Sequence, residues 1–181
     1  MNALINKAVF LDKYNFVLIN SKSINNIPDI YISKYQSNSY DLVLVFCDTD
    51  KFPSNRYKTI KMEINKFHSK DISEKIIIFG NPCTMQIILS HFGKIKLTSQ
   101  SKSINAKYIE ELTGIVNYKA NEEQRKELFS KINRRNYNTM KENISELSKN
   151  DEDISSTNIL EFIEKFENED DSWIEEINSM T

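Results

Sequence analysis

Asp48 and Asp50 close an unbroken apolar run, Leu42-Val43-Leu44-Val45-Phe46-Cys47. In an extended strand, residues two apart point to the same side, with Cα atoms roughly 7 Å apart. Two carboxylates so placed do not lose their hydration cheaply without a cation beside them. Hard, oxygen-only ligation suits Mg2+ or Mn2+, which keep several waters and bridge to phosphate oxygens. The same Asp-Thr-Asp also reads as a polar turn after a strand, with one aspartate capping the next helix.

Gly80-Asn81-Pro82-Cys83 is the second chemical element. Asn81 fits a helix N-cap and Pro82 the first helical position. A helix start beside the aspartates can hold a phosphate, and a plain strand-to-helix joint accounts for the same residues. Cys83 and Cys47 read as reduced core thiols, since two cysteines in a chain this long make no disulfide framework. His91 and His68 read as buried or capping histidines more readily than as ligands. Lys131, Arg134, Arg135, Tyr137 and Lys141 form a basic set with an aromatic member that can track a phosphate backbone. The first three serve equally well as the basic end of a helix.

The elements that must position these residues follow from periodicity. Apolar spacing predicts helices over 2–13, 55–69, 83–92, 104–113, 121–135, 138–148 and 158–167. Short apolar runs predict buried strands at 15–20, 42–47 and 75–79, with a further small strand at Ile30-Tyr31-Ile32. Lys51-Phe52-Pro53-Ser54 reads as a loop with a helix cap at its end. Alternating strands and helices over 2–92 argue for an α/β fold: a parallel sheet flanked by helices, with a C-terminal helical extension. Ligand sites in such sheets lie at the carboxyl ends of the strands, where Asp48 and Asp50 fall. Three regions are expected: an α/β core over 1–97, a basic helical region over 98–150 and an acidic helical segment over 151–181 that packs on the core.

Composition limits the function classes. Of 181 residues, 39 % are apolar and 28 % charged, which excludes wholesale disorder. Three glycines exclude a collagen-like chain and a Gly-x-Gly-x-x-Gly dinucleotide fingerprint. There is no apolar stretch long enough for a membrane span, and the N-terminal run is too short for a secretory signal, so a cytoplasmic location is expected. The net charge is −2, but residues 151–181 hold eleven acids against Lys165 alone, leaving 23 bases and 15 acids in 1–150. A basic body with an acidic tail suits an anionic partner such as nucleic acid, and equally a solvating tail on a lysine-rich chain.

Three stretches together resemble the RloB-like branch of the TOPRIM superfamily, close to the OLD-type nucleases. DLVLVFCDTD at 41–50 is similar to a hydrophobic strand closed by the family's Asp-x-Asp. NPCTMQIILSHF at 81–92 is similar to its Asn-Pro-x-Phe-Glu-x-Trp-Leu-Leu-x-His-Phe block, and SSTNILEFIEKF at 155–166 to its later Asn-Pro-Ser-Thr-Asn helix start. The resemblance implies a TOPRIM-like sheet, divalent-metal phosphodiester chemistry on DNA or RNA, and a bacterial or mobile-element defence role. It maps Asp48 and Asp50 onto the metal-binding aspartates, Asn81 and Pro82 onto the strand-to-helix corner, and His91 onto that block's histidine. The chain departs from the pattern in two respects. A TOPRIM fold begins with a strand ending in Glu-Gly, whereas here no glutamate precedes Glu63, and Thr84-Met85 stands where the family has Phe-Glu.

Two functions are therefore expected. One is a Mg2+- or Mn2+-dependent nuclease built on Asp48 and Asp50. The other is a catalytically degenerate relative that binds nucleic acid or a protein partner. The absent strand implies an open sheet edge, and with it another chain completing the site, or a homodimer. Phe162, Phe166 and Trp173 give the acidic segment the means to fold back on the basic body and mask it.

Overall fold

The structure is a computed structural model, and it describes residues 13–50 and 54–181. The helix expected over 2–13 (Lys13 apart) and the loop at Lys51, Phe52 and Pro53 lie outside the described residues. A 3-10 turn, Ile24–Asn26, leads into α1 (Ile27–Gln36), β1 (Val45–Asp48), α2 (Asn55–His68), α3 (Ser73–Ile76) and β2 (Ile77–Gly80). There follow α4 (Met85–Ser90), α5 (Lys102–Thr113), α6 (Glu122–Ser130), α7 (Arg134–Ser145), α8 (Ile159–Glu167) and α9 (Ser172–Met180).

Among the described residues the sheet has two strands, paired in parallel with Val45 opposite Ile77 and Asp48 opposite Gly80. Strand alternation sends side chains to two separate cores. Val45, Cys47, Ile77 and Phe79 pack with Tyr31 of α1, Ile60 and Ile64 of α2, and Trp173 and Ile177 of α9. Ile78, with Leu44 and Phe46 beside it, packs on the other face against Ile87 of α4, Met140 and Ile144 of α7, and Phe162 and Ile163 of α8. Each such apolar side chain contributes roughly 1.5–3 kcal/mol by leaving water, so both faces of this short sheet are held by helices. A third cluster, with Leu89, Leu97, Ile109 and Leu128, ties α4 to α5 and α6. The acidic 151–181 segment thus supplies a helix to each face. Among the described residues no helix is long and apolar enough to cross a membrane.

Several expectations are corrected. Ile30-Tyr31-Ile32 lies inside α1, which Pro28 opens near its first turn. Ile24, Ile27, Tyr31 and Tyr35 pack on the core at helical spacing, and that period outweighs the local β propensity. Residues 15–20 join no sheet, and Val17, Leu18 and Ile19 are exposed. Strand β1 starts only at Val45, and β2 is preceded by the single turn α3. The helix expected over 121–135 is two helices. Asn133 caps α7 with a reciprocal box to Asn136, so Arg134 and Arg135 begin a helix rather than end one. They stand at the end where the helix dipole disfavours cations. Helix α9 is a further element beyond those expected from periodicity.

Candidate functional site

Asp48 is the last residue of β1 and Gly80, its partner in register, the last of β2. The chain then turns inward. Thr49 is fully buried, its N–H donating to the Gly80 carbonyl (3.2 Å) and its hydroxyl to the Asp50 carbonyl (2.9 Å). Asp50 takes φ 61°, a left-handed conformation that Asp tolerates better than most residues. The alternation that would have put both carboxylates on one face therefore stops short of Asp50.

Asp48 has a structural duty as well. Its Oδ1 accepts the Thr84 N–H at 2.7 Å, at the residue that precedes α4. This bond ties the end of β1 to the turn before α4; Asp48 does not cap the next helix, contrary to expectation. Helix α2 is capped by Ser54, whose Oγ accepts the Tyr57 N–H at 3.2 Å. Asn81 and Pro82 do not open α4, which starts at Met85, so their expected N-cap and first-turn roles are corrected. Asn81 is fully buried in the joint itself. Its N–H donates to the Ser156 carbonyl (2.9 Å) and its Nδ2 to the Asp151 carbonyl (2.8 Å). Its Oδ1 has no hydrogen-bond partner among the described residues. A Cβ on Gly80 would stand 3.0 Å from the Cys83 carbonyl oxygen and from Thr84 Cα, which is why glycine holds this corner.

The electrostatics are those of a crowded acidic corner. Burial pushes the Asp48 carboxyl above its usual 3.8; the Thr84 hydrogen bonds oppose the rise and the charge of Asp50 adds to it. Burial, then Asp48 and Asp50, push the Cys47 thiol up to about 12, and burial also raises Cys83. Both cysteines are free, buried and held as thiols, which fits packing rather than nucleophilic roles. Asp151, missed by sequence reasoning, lies beside this corner through its contact with Asn81. Its Oδ2 accepts from the Tyr57 hydroxyl and Lys61 Nζ, each at 2.8 Å. Only the distant pairing of a tail acid with α2 betrays it, and no local pattern reports that.

The other expected residues are elsewhere. His91 is buried, and its Nδ1 donates to the Ile87 (3.1 Å) and Ile88 (3.2 Å) carbonyls. Burial holds its pKa below the usual 6.5. Tyr137 is buried too, and its hydroxyl donates to Glu167 Oε1 at 2.8 Å, so its ring offers no face to a base. Lys141 pairs with the same carboxylate, and Lys131 with Glu127 at 3.9 Å. Arg134 and Arg135 are exposed. The basic set is thus divided between a half-buried pairing with α8 and the surface.

Asp48 and Asp50 offer hard oxygens, and a cation would relieve the burden that burial and mutual charge place on Asp48. The donor set suits Mg2+ or Mn2+ on that ground. Among the described residues no group of three or more His, Cys, Asp or Glu side chains gathers around one point. Compared with family models, curated proteins and solved structures, the chain finds no match in any of the three.

Proposed function

We propose that this chain is a TOPRIM-like protein of the RloB and OLD kind, acting on the phosphodiester backbone of DNA or RNA in a bacterial or mobile-element defence setting. Asp48 and Asp50 hold the Mg2+ or Mn2+ ion. The observation that carries the reading is the Asp48 carboxyl at the carboxyl end of a buried parallel strand, held above its usual pKa by burial and by Asp50. A bound ion supplies charge neutralisation at the scissile phosphate. The chain's own part is to fix Asp48 through Thr84 and to hold Asp50 in its turn through Thr49. Exposed Lys131, Arg134 and Arg135 are the members of the basic set left to meet a phosphate backbone.

A second reading is binding without cleavage, to nucleic acid or a protein partner. It is favoured by Asp151, the nearby acid, which is already engaged by Tyr57 and Lys61.

The test is incubation of the full chain with single-stranded DNA, duplex DNA and RNA in Mg2+ or Mn2+. Cleavage is expected, with a loss of at least about 100-fold in the Asp48→Asn, Asp50→Asn double variant. Undiminished cleavage by that variant would remove the metal assignment. Retarded migration without cleavage would select the binding reading.

A further inference from the structure

Two cavities flank the free side of β1, one on each face of the sheet. The first, about 400 Å³, is walled by Ile78, Ile87, Met140 and Phe162. The second, about 490 Å³, is walled by Ile27, Ile30 and Tyr31. They share their banks: Val17 and Leu18 on one side, Leu42, Leu44 and Phe46 on the other. Among the described residues no hydrogen bond joins 17–19 to 42–44. Taken together, cavities on the two faces with shared walls define a slot beside β1. An extended chain suits it: its backbone pairs with the β1 edge while successive side chains enter opposite cavities.

We propose that the slot is filled by residues 15–20 of a second copy of this chain, exchanged reciprocally about a two-fold axis. The stretch Asn-Phe-Val-Leu-Ile-Asn is apolar and β-prone yet lies outside the sheet, with Val17, Leu18 and Ile19 exposed by 53 %, 42 % and 44 %. Charge agrees. Residues 14–21 carry none, with Lys13 and Lys22 at the ends, and the ionised side chains lining the slot are Asp41 and Lys34.

The geometry closes on itself. Because 15–20 already forms one bank, a copy of it laid between that bank and β1 puts each copy's stretch in the other's slot. The order becomes β2, β1, second copy's 15–20, first copy's 15–20, then the second copy's β1 and β2. That is an isologous contact in which both copies use the same surface, so it yields a closed dimer rather than a fibre. The exchange pairs the β1 edge that has no strand partner among the described residues, and removes the exposed apolar patch at 17–19. It stands independently of the metal reading.

Sedimentation equilibrium of the full chain tests it. The expected mass is that of two chains, falling to one in the Val17→Lys, Leu18→Lys double variant with unchanged far-UV circular dichroism. A second measurement guards against a folding defect. A Leu18→Cys chain mixed with a Leu44→Cys chain is oxidised, with the wild type, whose cysteines are buried, as control. A disulfide between the two chains is expected. A wild type that is monomeric at its highest soluble concentration overturns the proposal. So does a dimer indifferent to the lysines, or a Leu18→Cys, Leu44→Cys double variant that cross-links only within one chain.

Discussion

The two edges of the small sheet are finished in opposite ways. The β2 edge is closed by side chains. Asn158 Oδ1 accepts the Phe79 N–H at 2.9 Å, its Nδ2 donates to the Ile77 carbonyl at 2.8 Å, and the Thr157 hydroxyl donates to the Phe79 carbonyl at 2.5 Å. A single bridge between Gly80 and Thr157 and the Asn81–Ser156 bond complete the seam. One asparagine amide thus does for β2 what a neighbouring strand would do, satisfying a donor and an acceptor two residues apart. The β1 edge has no such seam among the described residues. Its flank is a slot with apolar walls. Closure by a short polar segment makes an edge final, whereas closure left to apolar residues leaves it open to another strand.

The largest expected effect comes from breaking the closed edge. Asn158→Ala leaves a buried N–H and a buried carbonyl without partners, at a cost of about 2–4 kcal/mol. A urea-denaturation midpoint reads it directly. Thr157→Val removes one hydroxyl at the same seam and should cost about 1–2 kcal/mol. If Asn158→Ala is nearly neutral, water or a shifted loop replaces the amide and the two edges are not so different.

The Asp48 corner, where the two strands end, responds to pH. The folded-state pKa of Asp48 lies above the usual 3.8. The folded chain therefore holds that proton more tightly, and stability is lost as pH rises through the raised value. Asp48→Asn keeps an oxygen for the Thr84 N–H and sheds the charge. In metal-free buffer at neutral pH it should raise stability, because the buried charge is gone. Mg2+ should then raise the wild-type melting temperature and leave the variant unmoved. His91 works in the other direction. Its pKa lies below 6.5, so its contribution is lost as pH falls through that range. His91→Gln should flatten the loss of stability as pH falls below 6.5.

What the sequence disclosed follows physical range. Helix α2 was legible to within a residue, because Tyr57, Ile60 and Ile64 repeat on one face and Ser54 caps them. The ends of β1 and β2 were legible, since an apolar run stopped by Asp48 or Gly80 is a local signal. The closed edge was not. Ser155, Ser156, Thr157 and Asn158 read as the start of a helix, and their pairing with residues nearly eighty positions away leaves no local trace. Tyr137 and Lys141 looked like a surface patch because Glu167, their partner, is remote in sequence. The reach of Asp48 to Thr84 was hidden for the same reason.

The smallest expected effect sharpens the open edge. Leu18 is 42 % exposed and lines the slot without a backbone partner among the described residues. Leu18→Thr keeps β propensity and removes apolar surface that is already partly wet. At concentrations where the chain is monomeric, it should move unfolding free energy by less than about 0.5 kcal/mol, as surface substitutions do. The same substitution in a dimer meets a different environment, because there Leu18 is enclosed between strands. Its cost should then grow with protein concentration, since association adds to folding stability by mass action. A concentration series of urea midpoints for wild type and Leu18→Thr separates the cases. Curves that diverge as concentration rises mark an edge that a second copy closes. A constant gap of about 2 kcal/mol at every dilution means Leu18 is already buried in a single chain, and the contrast between the two edges fails.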